Sequence, residues 1–289
     1  MAQDPRALLQ QADKAASGAS GGFSFFGGRT EKYERAAELY TQAANSFRLQ
    51  KQGKEAGLAF ERAAAIQINN LQEPDDAANT YQEAFKSYKA TDPEDAIRVL
   101  QLAVTHYTLK GNFRRAATQQ QNVAECLEAI IGDNKRAIDA YEKVGECLTC
   151  DSLANKAFLK LADLSAEEGN YQRSIENYEK VARSSLNSNL MKWSVKEYFL
   201  KAGICHLTSG DMVATKRAIE QYTEMDPTFA STRECKLLND LVESVEQGDQ
   251  ETFSDQLFQY DQMSKLDKWK TKLLLKVKDN IESQGEDFS

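Results

Sequence analysis

A helical unit recurs about every 39 residues along this chain, and it limits the possible folds more than any other feature. Asp92, Asp133, Asn170, Asp211 and Asp249 each stand just before an apolar-periodic run. Four residues on from these markers come Ala96, Ala137, Ser174, Thr215 and Phe253. Eight on come Leu100, Tyr141, Tyr178, Ile219 and Leu257, and eleven on come Ala103, Val144, Val181, Tyr222 and Tyr260. Apolar positions at i, i+4 and i+7 share one helical face, so one amphipathic helix is being written repeatedly. A single such unit cannot bury its face alone and must stack on its neighbours. The pattern predicts an all-α fold: a right-handed solenoid of antiparallel helix hairpins, similar to tetratricopeptide (TPR) repeats, ending in a small C-terminal helical bundle. Gly169-Asn170-Tyr171 with Ile175, Tyr178 and Ala182 reads as the second half of such a repeat, although the signature Trp and Pro are missing from most units. A stack of this kind presents a long surface rather than a pocket, so binding partners come to the fore before any reaction.

Helices are predicted over 3–16 and then, in close order, near 31–50, 53–70, 74–90, 93–109, 111–131, 134–149, 151–168, 170–185, 190–208, 211–225, 228–247, 249–262 and 265–283. Only four prolines occur. Pro74, Pro93 and Pro227 follow Glu73, Asp92 and Asp226, an acidic cap before a proline in the first turn. Gly111, Gly132, Gly169, Gly210 and Gly248 mark the joints. The exception is Ser17 to Gly28, rich in glycine and carrying Phe23, Phe25 and Phe26, which is expected to break regular helix. The organisation expected is an N-terminal helix and Gly/Phe-rich loop (1–30), a solenoid (31–227) and a C-terminal bundle with a polar tail (228–289).

The net charge of −8 disfavours general nucleic-acid binding. No stretch approaches the ~18–20 apolar residues that cross a bilayer. Five unevenly spaced cysteines suit a reducing compartment, and a cytoplasmic location is expected. Cys147 and Cys150 form a CxxC with no second pair and no preceding strand, so packing or surface thiols are the better reading. No GxxxxGK[ST] loop is present. His106 and His206, the only histidines, lack the partner spacing of a triad or a zinc site and read as packing residues. No catalytic residue, metal or cofactor is expected.

Three features point to contacts instead. The phenylalanine loop either caps the first helices or touches a membrane or partner. Burying each ring would yield roughly 1.5–3 kcal/mol, less the cost of ordering a glycine-rich segment. From Lys236 to Lys265 no basic residue intervenes, while Asp240, Glu243, Glu246, Asp249, Glu251, Asp255 and Asp261 do. That run is either a solvated face or a dock for a basic partner. Arg114, Arg115, Lys156, Lys160, Lys196, Lys201 and Arg233 come from successive helices and would form a basic stripe for an acidic rod if they share a side.

The stretch Leu190 to His206, with Lys192-Trp193 and Tyr198-Phe199, then Arg233 to Leu237, Tyr260-Asp261, Leu266 to Trp269 and Leu273 to Leu275, closely resembles the soluble NSF attachment proteins. The phenylalanine loop and the helix containing Ala36 to Tyr40, Ala43 and Ala44 match as well. The resemblance spans nearly the whole chain and is nearer the alpha-like vesicular-fusion branch, fungal members included, than the gamma branch. It implies a non-enzymatic adaptor: several copies coat a spent four-helix SNARE bundle and recruit and stimulate the hexameric ATPase NSF, which takes the bundle apart. Carried over residue by residue, SNARE contacts fall on Lys156, Lys160, Lys201 and Arg233. Asn112 and Thr118 stand where the family has basic residues, with Arg114 and Arg115 as nearby substitutes. ATPase contacts fall on Asp211, Glu243 and Glu246, with Gln247 replacing a further acid. Phe288 replaces the family's penultimate leucine, which is tied to ATPase stimulation. Phe23, Phe25 and Phe26 match the membrane loop, implying a weak peripheral membrane contact. The rival reading is a generic TPR-type scaffold clamping peptide ends, which would need Asn, Lys and Arg side chains converging in one narrow groove.

Overall fold

The computed structural model describes residues 4–20, 28–147 and 152–286, which form two compact units, residues 1–149 and 150–289. Among the described residues there are fourteen α-helices and no strand. The first unit holds α1 (Pro5–Ser20), α2 (Gly28–Leu49), α3 (Gly53–Asn69), α4 (Pro74–Tyr88), α5 (Pro93–Leu109), α6 (Phe113–Cys126) and α7 (Asn134–Cys147). The second holds α8 (Ser152–Glu167), α9 (Tyr171–Leu186), α10 (Val195–Ser209), α11 (Met212–Met225), α12 (Arg233–Gln247), α13 (Gln250–Met263) and α14 (Lys268–Glu286). A π-helical turn, Leu127–Ile131, prolongs α6, and 3₁₀ turns at Lys192–Ser194 and Pro227–Ser231 precede α10 and α12.

The recurring pattern is the core. Ala96, Ala137, Ser174, Thr215 and Phe253 are all fully buried, and of the ten remaining repeat positions only Leu257 is half-exposed. Ser174 is tolerated there because its hydroxyl donates to the Ala162 carbonyl at 2.8 Å. Within each unit successive helices pack against each other as antiparallel pairs. In the first unit Lys32 reaches the Gly18 carbonyl while Tyr40, eight residues on, bonds Asp13. His106 and Lys110, at the end of α5, both meet Asp75 at the start of α4 at 2.6 Å. Alanines such as Ala36, Ala43, Ala56, Ala63 and Ala77, all buried, let these helices approach closely. Gly57 carries this furthest, because a Cβ there would lie 2.4 Å from the Tyr88 ring. In the second unit the Phe199 and Tyr222 rings stack at 4.5 Å, and Phe229 meets Phe199 edge-on at 5.2 Å.

Two expectations are corrected. Ser17–Ser20 continues α1 and Gly28 opens α2, so only 21–27 lie between the helices, outside the described residues. Gly18 costs α1 about 1 kcal/mol relative to alanine, which the burial of Leu8, Ala12 and Ala19 offsets. Secondly, the acidic residues before the prolines do not all cap. Asp226 accepts from the Thr228 amide at 3.1 Å, but Glu73 makes no side-chain cap, and Asp92 gives its carboxylate to Lys54 at 3.1 Å. The other markers do cap: Asp133, Asn170, Asp211 and Asp249 accept from Arg136, Arg173, Ala214 and Thr252 amides at 2.8–3.2 Å.

Candidate partner-binding surfaces

In the second unit the basic residues divide by environment. Lys156 and Lys160 are exposed one helical turn apart on α8, and Arg233 is exposed in the first turn of α12. Lys201 differs. Its side chain is 16% exposed, and its ammonium lies 2.6 Å from Asp163, 4.7 Å from the Trp269 ring and 5.6 Å from the Tyr178 ring. Asp163 also accepts the Tyr178 hydroxyl, and its backbone carbonyl accepts the Trp269 indole N–H at 3.0 Å. One residue from each of α8, α9, α10 and α14 therefore meets at this point. The Lys201 cation is compensated inside the unit rather than offered at its surface.

In the first unit Arg114 and Arg115 occupy the first turn of α6, both exposed. Cations there oppose the helix dipole, so they do nothing for the helix. Arg115 lies over the Tyr107 ring at 4.8 Å, a cation–π contact between α6 and α5. Thr118 spends its hydroxyl on the Arg114 carbonyl at 2.9 Å, and Asn112 makes no side-chain cap.

The acidic residues are split in the same way. Asp211 caps α11, and Glu246 pairs with Lys216 at 2.6 Å. Glu243, exposed one turn before Glu246, accepts from Gln247 at 3.0 Å. Glu246, Gly210 and Met212 line one hollow of about 350 Å³ with Leu207, Val245, Val277, Asn280 and Ile281. Asp211 sits between two of the lining residues in sequence, so the fold brings Asp211 and Glu246 to the same end of the unit. Elsewhere the acidic run is used locally. Asp249 caps α13, while Asp261 pairs with Lys265 at 2.6 Å and accepts the Leu266 amide. Asp240 lines a smaller hollow beside Arg233, Lys236 and Tyr260.

Phe23, Phe25, Phe26, Phe288 and the Cys147–Cys150 pair's second thiol lie outside the described residues. Cys126, Cys205 and Cys235 are buried, and burial pushes the Cys205 thiol up to about 12, which disfavours the reactive thiolate. Among the described residues no group of three His, Cys, Asp or Glu is placed to hold a metal, and no helix is long and apolar enough to cross a membrane. His106 is more than a packing residue, since it bonds Asp75; the Lys110 ammonium, and then His106, hold that carboxyl below the usual carboxylate range. His206 is packed, its Nε2 3.9 Å from Glu179 and beyond hydrogen-bond reach. Leu190 and Trp193 are 91% and 76% exposed because α10 starts at Val195 rather than near 190 as expected, which leaves both in the connection before it.

Antiparallel helices that bury a recurring apolar face within each unit define a helical repeat protein of TPR-like build. The profile described as "Soluble NSF attachment protein, SNAP" matches residues 3–282. The chain is 50% identical over its full length to the full-length "Probable vesicular-fusion protein sec17 homolog" of Schizosaccharomyces pombe. It is 39% identical to the "Alpha-soluble NSF attachment protein" of Saccharomyces cerevisiae, covering 99% of each chain. To the human "Alpha-soluble NSF attachment protein" it is 37% identical, covering 98% of this chain and 96% of that one. The chain belongs to the soluble NSF attachment protein family.

Proposed function

We propose that this chain is an adaptor of vesicular membrane fusion: it grips assembled SNARE bundles and presents them to the ATPase NSF for disassembly, running no reaction of its own. The observation that carries this is end-to-end kinship with proteins named for vesicular fusion and NSF attachment. In this reading the exposed Lys156, Lys160 and Arg233, with Arg114 and Arg115, contact the SNARE bundle. Lys201 contributes by holding α8 and α10 in place beneath those contacts. Asp211, Glu243 and Glu246 meet the hexameric ATPase, Phe288 stimulates it, and Phe23, Phe25 and Phe26 give a weak membrane contact that keeps the protein at the bilayer periphery.

Exposed ion pairs contribute only about 0–1 kcal/mol each, and salt screens them over ~8–10 Å. Several copies around one bundle would turn such contacts into a firm yet releasable hold. The test is capture of a purified SNARE bundle by the immobilised chain, followed by addition of NSF and ATP. Capture with ATP-dependent release supports the reading; a chain that neither retains the bundle nor promotes its release rules it out.

A further inference from the structure

The hollow at one end of the second unit has a composition unlike a solvated helix end. Five of its eight lining residues, Leu207, Met212, Val245, Val277 and Ile281, are apolar, and Glu246 stands at the rim. Leu207, Val277 and Ile281 are themselves buried, so the floor is part of the packed core rather than a chance gathering of surface chains. Gly210, in the left-handed region (φ 83°) that glycine takes without strain, ends α10 and lines the hollow, as do Val245 and Glu246 from the last turn of α12; Gly248 (φ 66°) ends that helix. Asp211 and Asp249 follow these two glycines, and Glu243 and Glu246 lie on the last two turns of α12. Of these carboxylates Glu246 lines the hollow and pairs with Lys216 at 2.6 Å, Glu243 lies one turn before it, Asp211 stands between the lining Gly210 and Met212 and caps α11, and Asp249 caps α13. An apolar hole rimmed by negative charge selects for an apolar side chain carried on a basic segment.

We propose that this hollow seats one Leu- or Phe-sized side chain from a basic segment of the partner ATPase, with Asp211, Glu243 and Glu246 meeting the flanking cations. The inference rests on the adaptor reading and adds a buried apolar anchor to its charged contacts. The carboxylates give speed and selection, which salt weakens. The anchor gives salt-resistant affinity, because filling an apolar hole does not depend on ionic strength; full burial of one such side chain is worth on the order of ten- to a hundredfold.

The test measures binding of purified NSF to the immobilised full chain at low and high salt. Asn280, exposed on the rim, is replaced by Trp to plug the opening, and Met212 by Ser to remove an apolar wall. The expected result is a loss of about tenfold or more for Asn280→Trp and several-fold for Met212→Ser, each of similar size at both salt concentrations. Glu246→Gln should lose affinity at low salt only. SNARE-bundle capture by every variant should match the wild type, which also shows that the variants are folded. Wild-type affinity for NSF in both Asn280→Trp and Met212→Ser would overturn the pocket. Failure of the unmodified chain to bind NSF would instead overturn the adaptor reading itself.

Discussion

Replacing Lys201 with Met separates a structural lysine from a binding one. Removing one partner of a buried ion pair costs about 3–5 kcal/mol, because the other charge is left uncompensated. Here the stranded group is Asp163, which is 28% exposed and still accepts the Tyr178 hydroxyl. Water access and that bond should reduce the penalty to roughly half. Loss of the ammonium from the Trp269 face adds about 0.5–1 kcal/mol, and the methionine chain preserves most of the packing. The expected destabilisation is therefore about 2–3 kcal/mol. At ~2–4 °C per kcal/mol for a unit of this size, the melting transition should fall by roughly 5–10 °C. Thermal unfolding followed by circular dichroism measures this, with Lys201→Met/Asp163→Asn as the companion. Removing the stranded charge should recover about half of the loss. SNARE-bundle capture, assayed well below the transition, should be weakened little. A transition within about 1 °C of wild type, with capture reduced as strongly as by reversing Lys156 and Lys160, would refute this account and return Lys201 to the binding surface.

Lys156→Glu with Lys160→Glu reverses two exposed charges and should weaken SNARE-bundle capture by about 2 kcal/mol, ~30-fold at low salt and less at high salt; unchanged capture in titration binding assays takes these lysines out of the interface. Phe25→Ser with Phe26→Ser should slow SNARE disassembly on liposomes and leave it unchanged in detergent, whereas equal rates in both settings would favour a capping role for the rings. Glu179 supplies a pH signature. Burial pushes its carboxyl up, but the His206 ring nitrogen 3.9 Å away, the hydrogen bond from Tyr222 at 2.9 Å and the Arg183 charge outweigh this and hold it below its ordinary value. Its stabilisation is then complete above the unfolded value near ~4.3 and is lost as pH falls through the lower folded one. Glu179→Gln should lower stability at neutral pH and flatten the acid branch of a denaturation series; an acid branch as steep as wild type would count against it.

The sequence reading succeeded where the cause is local. The repeat faces, the joints at Gly111, Gly132, Gly169, Gly210 and Gly248, all with positive φ, and the cap at Asp226 follow from side-chain period and helix-end chemistry. It failed where a distant residue intervenes. Asp92 is drawn off its cap by Lys54, thirty-eight positions earlier. Lys201 looked like one more cation in a series, because nothing near it in sequence announces Asp163 or Trp269. The hollow beside Glu246 is assembled from four helices, so no single stretch of chain carries its signature.

The bond from the Trp269 indole to Asp163 spans 106 positions. A stack of hairpins that touch only their neighbours can fray from its last hairpin inward, one at a time. Here the final helix is fastened to the opening helix of its own unit, so neither can detach without exposing the other. The second unit should therefore melt in a single step, and a truncation that removes α14 should loosen α8 as well as the residues next to the cut.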